Sequence, residues 1–369
     1  MTGQGPRPDV VVVGGGVIGL SAAWRLRQRG LAVTVVDPAP GSGSSHAAAG
    51  MLAPITEVHY GEESALALAL AAATAYPDFV AEVNDASGLD VGYRQCGTLA
   101  VAADGDDRAV LTDLAEFQQA LGLEVESLTG RECRQLEPLL APGIRGGIHV
   151  AGDHHVDNRR LVAALLKAIE RAGVEVRRNA VTDVHPTGVR LDDDTSIDTG
   201  TVVVAAGCWS AALVDLPIRP VKGQILRLHT PAPFISRNVR ALVHGTSIYI
   251  VPRADGELVI GATMEEQGYD VTVTAGAVYE LLRDAHVVLP GISELALTET
   301  YAGLRPGSPD NAPIVGRLDE TVVVATGHGR NGVLLAPVTA DAVVALVTSG
   351  HAPDLFARFG PDRFVRSPA

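Results

Sequence analysis

Asp9-Val10-Val11-Val12-Val13-Gly14-Gly15-Gly16-Val17-Ile18-Gly19 is the stretch on which the reading of this chain turns. Four consecutive valines suit a strand buried on both faces of a parallel sheet. Gly14, Gly16 and Gly19 then follow the G-x-G-x-x-G spacing. The first permits a tight turn, the second lets backbone approach a pyrophosphate, and the third lets helix and strand pack closely. Val17, Leu20 and Trp24 recur at helical spacing with Arg25, Arg27 and Arg29 opposite, and Gly30 fits the helix end. Leu31 to Val36 reads as the next strand, ending at Asp37, whose carboxylate can accept from a ribose. The helix N-terminus offers free N–H groups and partial positive charge to phosphates. Together these make a complete βαβ dinucleotide-binding unit.

Two distant segments repeat the strand-then-glycine pattern: Val202 to Gly207, and Val322 to Gly332. A nucleotide domain assembled from separated pieces suits FAD better than a nicotinamide cofactor. The small residues from Ser44 to Met51 follow the second strand, where bulky side chains would obstruct a long cofactor. A helix starting near Asn331 would aim its N–H groups at the flavin pyrimidine carbonyl.

Between these pieces the texture changes. Asp157 reads as the N-cap of a helix through Ala172, ended by Gly173 and followed by a small meander. From Val221 to Met264 the pattern is antiparallel. Ser247 to Arg253 and Glu257 to Ala262 form a hairpin across Ala254-Asp255-Gly256. Leu297 to Ala302 reads as a strand leading into the segment Gly303 to Gly307. The expected fold is α/β: a discontinuous Rossmann-like FAD-binding domain (1–87, 151–216 and 304–369) and an α+β substrate domain with a mainly antiparallel sheet (88–150 and 217–303).

The chain has 369 residues, 47% hydrophobic and 20% charged, with net charge -14. That permits a normal core and argues against nucleic acid or anionic membrane as partners. Cys96, Cys133 and Cys208 are scattered and make no C-x-x-C pair. The apolar stretch Val333 to Val347 is interrupted by Pro337 and Asp341 and is too short to span a bilayer, which needs about 20 apolar residues. A cytoplasmic enzyme, a homo-oligomer without membrane contact, is expected. His154-His155 with Asp153 and Asp157 lacks metal-ligand spacing, so no metal is expected.

The combined words resemble the FAD-dependent amino-acid oxidase family of glycine oxidase, D-amino-acid oxidase and sarcosine oxidase. They are Val11 to Leu20, Ala47 to Leu52, Tyr249 to Arg253, Gly261 to Met264, Ala302 to Gly307 and Gly327 to Gly332. The likeness is greatest to glycine oxidase of thiamine biosynthesis. It implies oxidation of glycine, sarcosine or a small D-amino acid to the imino acid, with O2 reduced to peroxide. It also implies non-covalent FAD, because Ala302 to Gly316 holds no cysteine. Arg305 would be the carboxylate anchor, assisted by Tyr249, with Arg330 on the substrate side and Met264 as a pocket wall. The flavin would lie along Gly14, Gly16, Val17, Gly19, Asp37, Ser44, Ser45, Ala48, Gly50, Met51, Val181 and Gly207. It would continue along Gly327, His328, Gly329, Arg330, Asn331, Gly332 and Val333. Ser247-Ile248 departs from the more polar or aromatic-bearing approach to the tyrosine in glycine oxidases, which implies a change in pocket polarity and so in substrate preference. The alternatives are a D-amino-acid or N-methylamino-acid oxidase or dehydrogenase, and a flavin-binding redox sensor without turnover.

Overall fold

The computed structural model describes residues 7–364. Val10–Val13 sits in a six-stranded sheet whose spatial order is Ile314–Arg317, Val322–Thr326, Thr201–Val204, Val10–Val13, Val33–Val36, Glu175–Arg177. Every pairing is parallel except that of Ile314–Arg317 with Val322–Thr326. The valines serve both faces. Val10 and Val12 join a core with the helices Val17–Gln28, Leu66–Ser87, Asn158–Arg171 and Gly332–Ser349, while Val11 and Val13 pack with Val189 and Leu191 of the meander. That double burial is why the strand is an unbroken apolar run.

The second sheet has eight strands in the order Ala296–Gly307, Arg219–His229, Glu257–Gly261, Thr246–Pro252, Asn238–Val243, Thr98–Ala102, Gly146–Val150, Glu126–Thr129. All its pairings are antiparallel except Asn238–Val243 with Thr98–Ala102. Its back face buries Leu226, Val239, Ile250 and Ile260 against Leu281 and Ala285 of the helix Ala275–Val288. The Asp157 cap is formed: its side chain accepts from Arg159 N at 3.0 Å and Arg160 N at 3.1 Å.

One expectation needs correction. The strand expected to stop at Ala302 continues to Gly307, with Arg305 opposite Val221 and Pro306 opposite Pro220. It lies at the sheet edge, where proline costs little because one side of the strand has no partner to serve. The expected C-terminal helix is Gly332–Ser349 and runs through Pro337. Proline cannot donate to the carbonyl four residues back, and Tyr76 Oη donates to that carbonyl, Val333 O, at 3.2 Å instead. Glu63–Ser87 and Gly329–Ser349 are long and apolar enough to cross a membrane by composition. In the fold they pack against each other and against neighbouring helices in the core.

Candidate active site

One cavity of about 1900 Å³ is lined by residues of both sheets, well above the ~300–1,000 Å³ of an ordinary small-ligand pocket. Two helix N-termini from opposite ends of the chain reach it. Gly16, Val17 and Ile18 open the helix Val17–Gln28; Asn331, Gly332 and Val333 open Gly332–Ser349. Neither helix has a side-chain N-cap. Val17 N donates to Ser45 Oγ at 2.9 Å, and the remaining first-turn amides have no partner within their own helix. Such ends are ready sites for a pyrophosphate and for a carbonyl or anion.

The glycines divide by function. Gly14 has φ +112°, and a Cβ there would come 2.4 Å from Ala205 O. A Cβ on Gly19 would come 1.9 Å from Gly14 O. Gly19 and Gly327 do not line the cavity; they make the turns and packing beside it. Gly16 faces the cavity, where a Cβ would meet Ser45 Oγ at 3.1 Å. Asp37 lines the cavity with its carboxylate already accepting from Gly15 N at 2.6 Å and Ala39 N at 2.7 Å. Those bonds lock the turn and fix the carboxylate at the cavity edge. Ser44, Ser45, Ala48, Gly50, Met51, Val181, Gly207, His328, Gly329 and Arg330 also line it. Ser44 Oγ is turned to Leu304 O, so the segment Ser44–Ala47, one helical turn, is tied to the second sheet. His328 is buried with Nε2 3.1 Å from Thr339 Oγ1. Burial pushes its imidazole down to about 3, so it is neutral and supports the loop. No cysteine is among the lining residues, and the Cys208 thiol donates to Leu304 O at 3.2 Å.

The opposite wall is the front of the eight-stranded sheet. Register brings Ile225, Gly261, Tyr249, Arg240, Ala100 and Ile148 into one row across six strands. Arg305 and Tyr249 each lie over a glycine. A Cβ on Gly223 would come 2.5 Å from the Arg305 Nη atoms, and one on Gly261 would touch the Tyr249 hydroxyl. The absent side chains are the floor on which both groups rest. Arg305 Nη1 donates to Thr263 O at 3.2 Å. Burial pushes the Tyr249 phenol up and the Arg305 charge pulls it the other way; the net shift is upward, so it remains an O–H donor at neutral pH. Met264 lines the cavity but is 75% exposed, which places it at the mouth.

Three arginines line the cavity: Arg240, Arg305 and Arg330. Arg240 pairs with Glu57, and Arg330 pairs with Glu57 at 2.5 Å and also with Glu62. Among the described residues, no acid pairs with Arg305 within 4.0 Å. Arg330, expected on the substrate side, lines the cavity with its guanidinium engaged by two carboxylates. Glu57, Glu62 and Arg240 were not anticipated, since nothing local marks them and register alone sets Arg240 beside Tyr249. Gly223 and Gly303, glycines inside strands, carried a readable signal of close approach.

Elsewhere the polar clusters are structural. Asp153 accepts from Ile55 N, Thr56 N and Thr56 Oγ1, and His155 Nδ1 meets Asn238 Oδ1 at 2.7 Å. Asp104, Asp107 and His244 lie close enough to hold an ion. Asp104 is already the helix cap, and Asp107 takes His244 N and Gly245 N.

A large cavity between a parallel nucleotide-binding sheet and an antiparallel roof defines a two-layer flavoprotein. The family model described as FAD dependent oxidoreductase matches residues 9–346, and the chain belongs to that family. FAD is therefore its cofactor, and the uncapped helix ends and the Gly16 approach suit it. Glycine oxidase of Geobacillus kaustophilus is 34% identical over 92% of this chain and 93% of that protein. A crystal structure of glycine oxidase from Geobacillus kaustophilus superposes with a TM-score of 0.91 at 32% identity, covering 98% of this chain and 100% of that one. The bifunctional protein ThiO/ThiG of Trichormus variabilis is 32% identical over 97% of this chain. The chain spans 55% of that protein, about half its length.

Proposed function

We propose that this protein is an FAD-dependent amino-acid oxidase acting on glycine and on sarcosine or small D-amino acids, and that its imine product serves thiazole synthesis. The observation that carries the reading is Arg305, the cavity arginine without a carboxylate partner among the described residues, set over Gly223 on the same wall as Tyr249. A planar guanidinium grips a carboxylate through two parallel N–H donors. The Tyr249 hydroxyl adds a third donor. Held by its acid end, a small amino acid presents its Cα–H and amine along the cavity toward the glycine turns, and its orientation is fixed before reaction. Conversion of CH–NH2 to C=NH removes two electrons and two protons, and bound FAD supplies the electron acceptor that O2 later reoxidises. A proton-abstracting side chain is not required. Glu57, a carboxylate on this wall, is held at about 2: burial would raise it, but the Arg240 and Arg330 charges outweigh burial. It is too weak a base at neutral pH to take a proton from carbon. The likeness to glycine oxidases and to the ThiO/ThiG proteins supports the substrate and pathway.

The test is spectral. The purified yellow protein, kept free of oxygen, is expected to bleach on addition of glycine and to recover its colour with peroxide formation when air is admitted. A yellow protein bleached by no amino acid would instead be a flavin-based sensor.

A further inference from the structure

The wall beside Tyr249 carries a closed ion network that substrate capture by Arg305 does not use. Arg240 stands directly opposite Tyr249 on the neighbouring strand and faces the same cavity. It pairs with one oxygen of Glu57. The other oxygen lies 2.5 Å from Arg330 Nε, while Arg330 Nη2 donates to Glu57 O at 2.9 Å and pairs with Glu62. The Glu57 and Arg240 side chains are 14% and 13% exposed. Two guanidiniums and two carboxylates make this wall electrically neutral. Arg305 then adds one uncompensated positive charge, which matches one carboxylate.

We propose that Glu57, clamped by Arg240 and Arg330, restricts the site to amino acids with a single carboxylate, by occupying the Arg240 guanidinium that would otherwise hold a second. The inference rests on the reading of Arg305 as the carboxylate anchor. A second carboxylate reaching this wall meets a like charge in a poorly hydrated space, where repulsion is weakly screened. It can reach the Arg240 guanidinium only by displacing Glu57 from it. Glu57 does not escape by taking a proton, because the same two arginines keep it ionised across the working pH range. Arg240 is a positioning residue here: it acts through Glu57. Glu57→Gln keeps the shape, removes the negative charge and frees the Arg240 guanidinium for an incoming anion, while Arg330 keeps Glu62.

The test uses the holoenzyme with two unreactive probes, acetate and malonate, titrated against the flavin absorbance. The wild-type protein is expected to bind acetate at least about tenfold more tightly than malonate. In Glu57→Gln the ratio is expected to move toward malonate by about tenfold or more. Arg240→Gln, which leaves the wall one charge negative, is expected to weaken both probes and malonate the more. Wild-type protein that binds malonate as tightly as acetate overturns the proposal even if no variant folds. An unchanged ratio in Glu57→Gln overturns it as well. Arg305→Ala separates the two levels. If it leaves acetate binding intact, the anchor reading fails and this proposal with it. If it abolishes acetate binding while Glu57→Gln leaves the ratio unmoved, this proposal alone fails.

Discussion

The six-stranded and eight-stranded sheets both face the cavity, but they equip it with different material. The parallel sheet contributes backbone: glycine turns at Gly14 and Gly207 and the uncapped starts of two helices. Its central strands are valine-rich and buried, most of their side chains pack into cores, and only strand ends such as Val13, Val36 and Thr326 reach the cavity. The antiparallel sheet contributes side chains: Arg305, Tyr249 and Arg240, drawn from three strands and laid over glycines or against acids. A site made of backbone tolerates few changes of shape. A site made of side chains can be retuned one group at a time. The expected mutational effects should therefore be all-or-none on one side of the cavity and graded on the other.

The largest effect is expected from Gly19→Ala. Its Cβ would lie 1.9 Å from a main-chain oxygen that cannot move without shifting Gly14. Overpacking of this kind costs about 1–3 kcal/mol or more, and here it falls on the cofactor turn. The variant should be recovered unfolded or colourless; a yellow protein with an unchanged Tm would break the contrast. Arg305→Ala comes next. Loss of two charge-assisted hydrogen bonds, each about 1.5–3 kcal/mol, should raise the glycine KM by about 100-fold or more. FAD should stay bound, as its absorbance would show.

A third effect is set by pH. In the folded protein burial holds His328 at about 3, against roughly 6.5 when unfolded. Above pH 6.5 this costs nothing. Below it the unfolded state takes up a proton that the folded state refuses, so stability falls by about 1.4 kcal/mol per pH unit. His155, also held at about 3, acts in the same direction. Asp153, raised to about 6 by burial, acts oppositely between about pH 6 and 4. His328→Gln should flatten the decline by close to one proton, read as urea midpoints from pH 7 to 5. An equal slope in both proteins would contradict a neutral buried imidazole.

The smallest effects sharpen the side-chain wall. Gly223→Ala would push on the mobile end of Arg305 from 2.5 Å, and about a tenfold rise in glycine KM is expected with FAD retained. Tyr249→Phe removes one hydrogen bond of about 1 kcal/mol, so KM should rise about fivefold. Steady-state peroxide formation measures both, and a loss of flavin from either variant would place these residues in the cofactor site instead.

The same division explains what could be read in advance. Asp9 to Asp37 shows its strand, turn, helix and acid within one short segment, because a parallel strand buried on both faces and a phosphate-binding turn impose their requirements locally. The hairpin around Asp255-Gly256 was legible for the same reason. The extension of the strand through Arg305 to Gly307 was not, since Pro306 argues for a loop until an edge position removes the objection. The unbroken helix through Pro337 depended on Tyr76, 257 residues before the carbonyl that it serves. Arg330 was placed in the site by its glycine-rich setting. Its partners, Glu57 and Glu62, come from a loop far away in the chain.

By itself, the sequence determined that this chain holds a dinucleotide between separated strand-and-glycine segments, because those demands are written in neighbouring residues. Which arginine is left unpaired, which residue stands beside Tyr249 and how much charge the wall carries were decided only by tertiary structure. Strand register and loop packing join residues that no local rule connects.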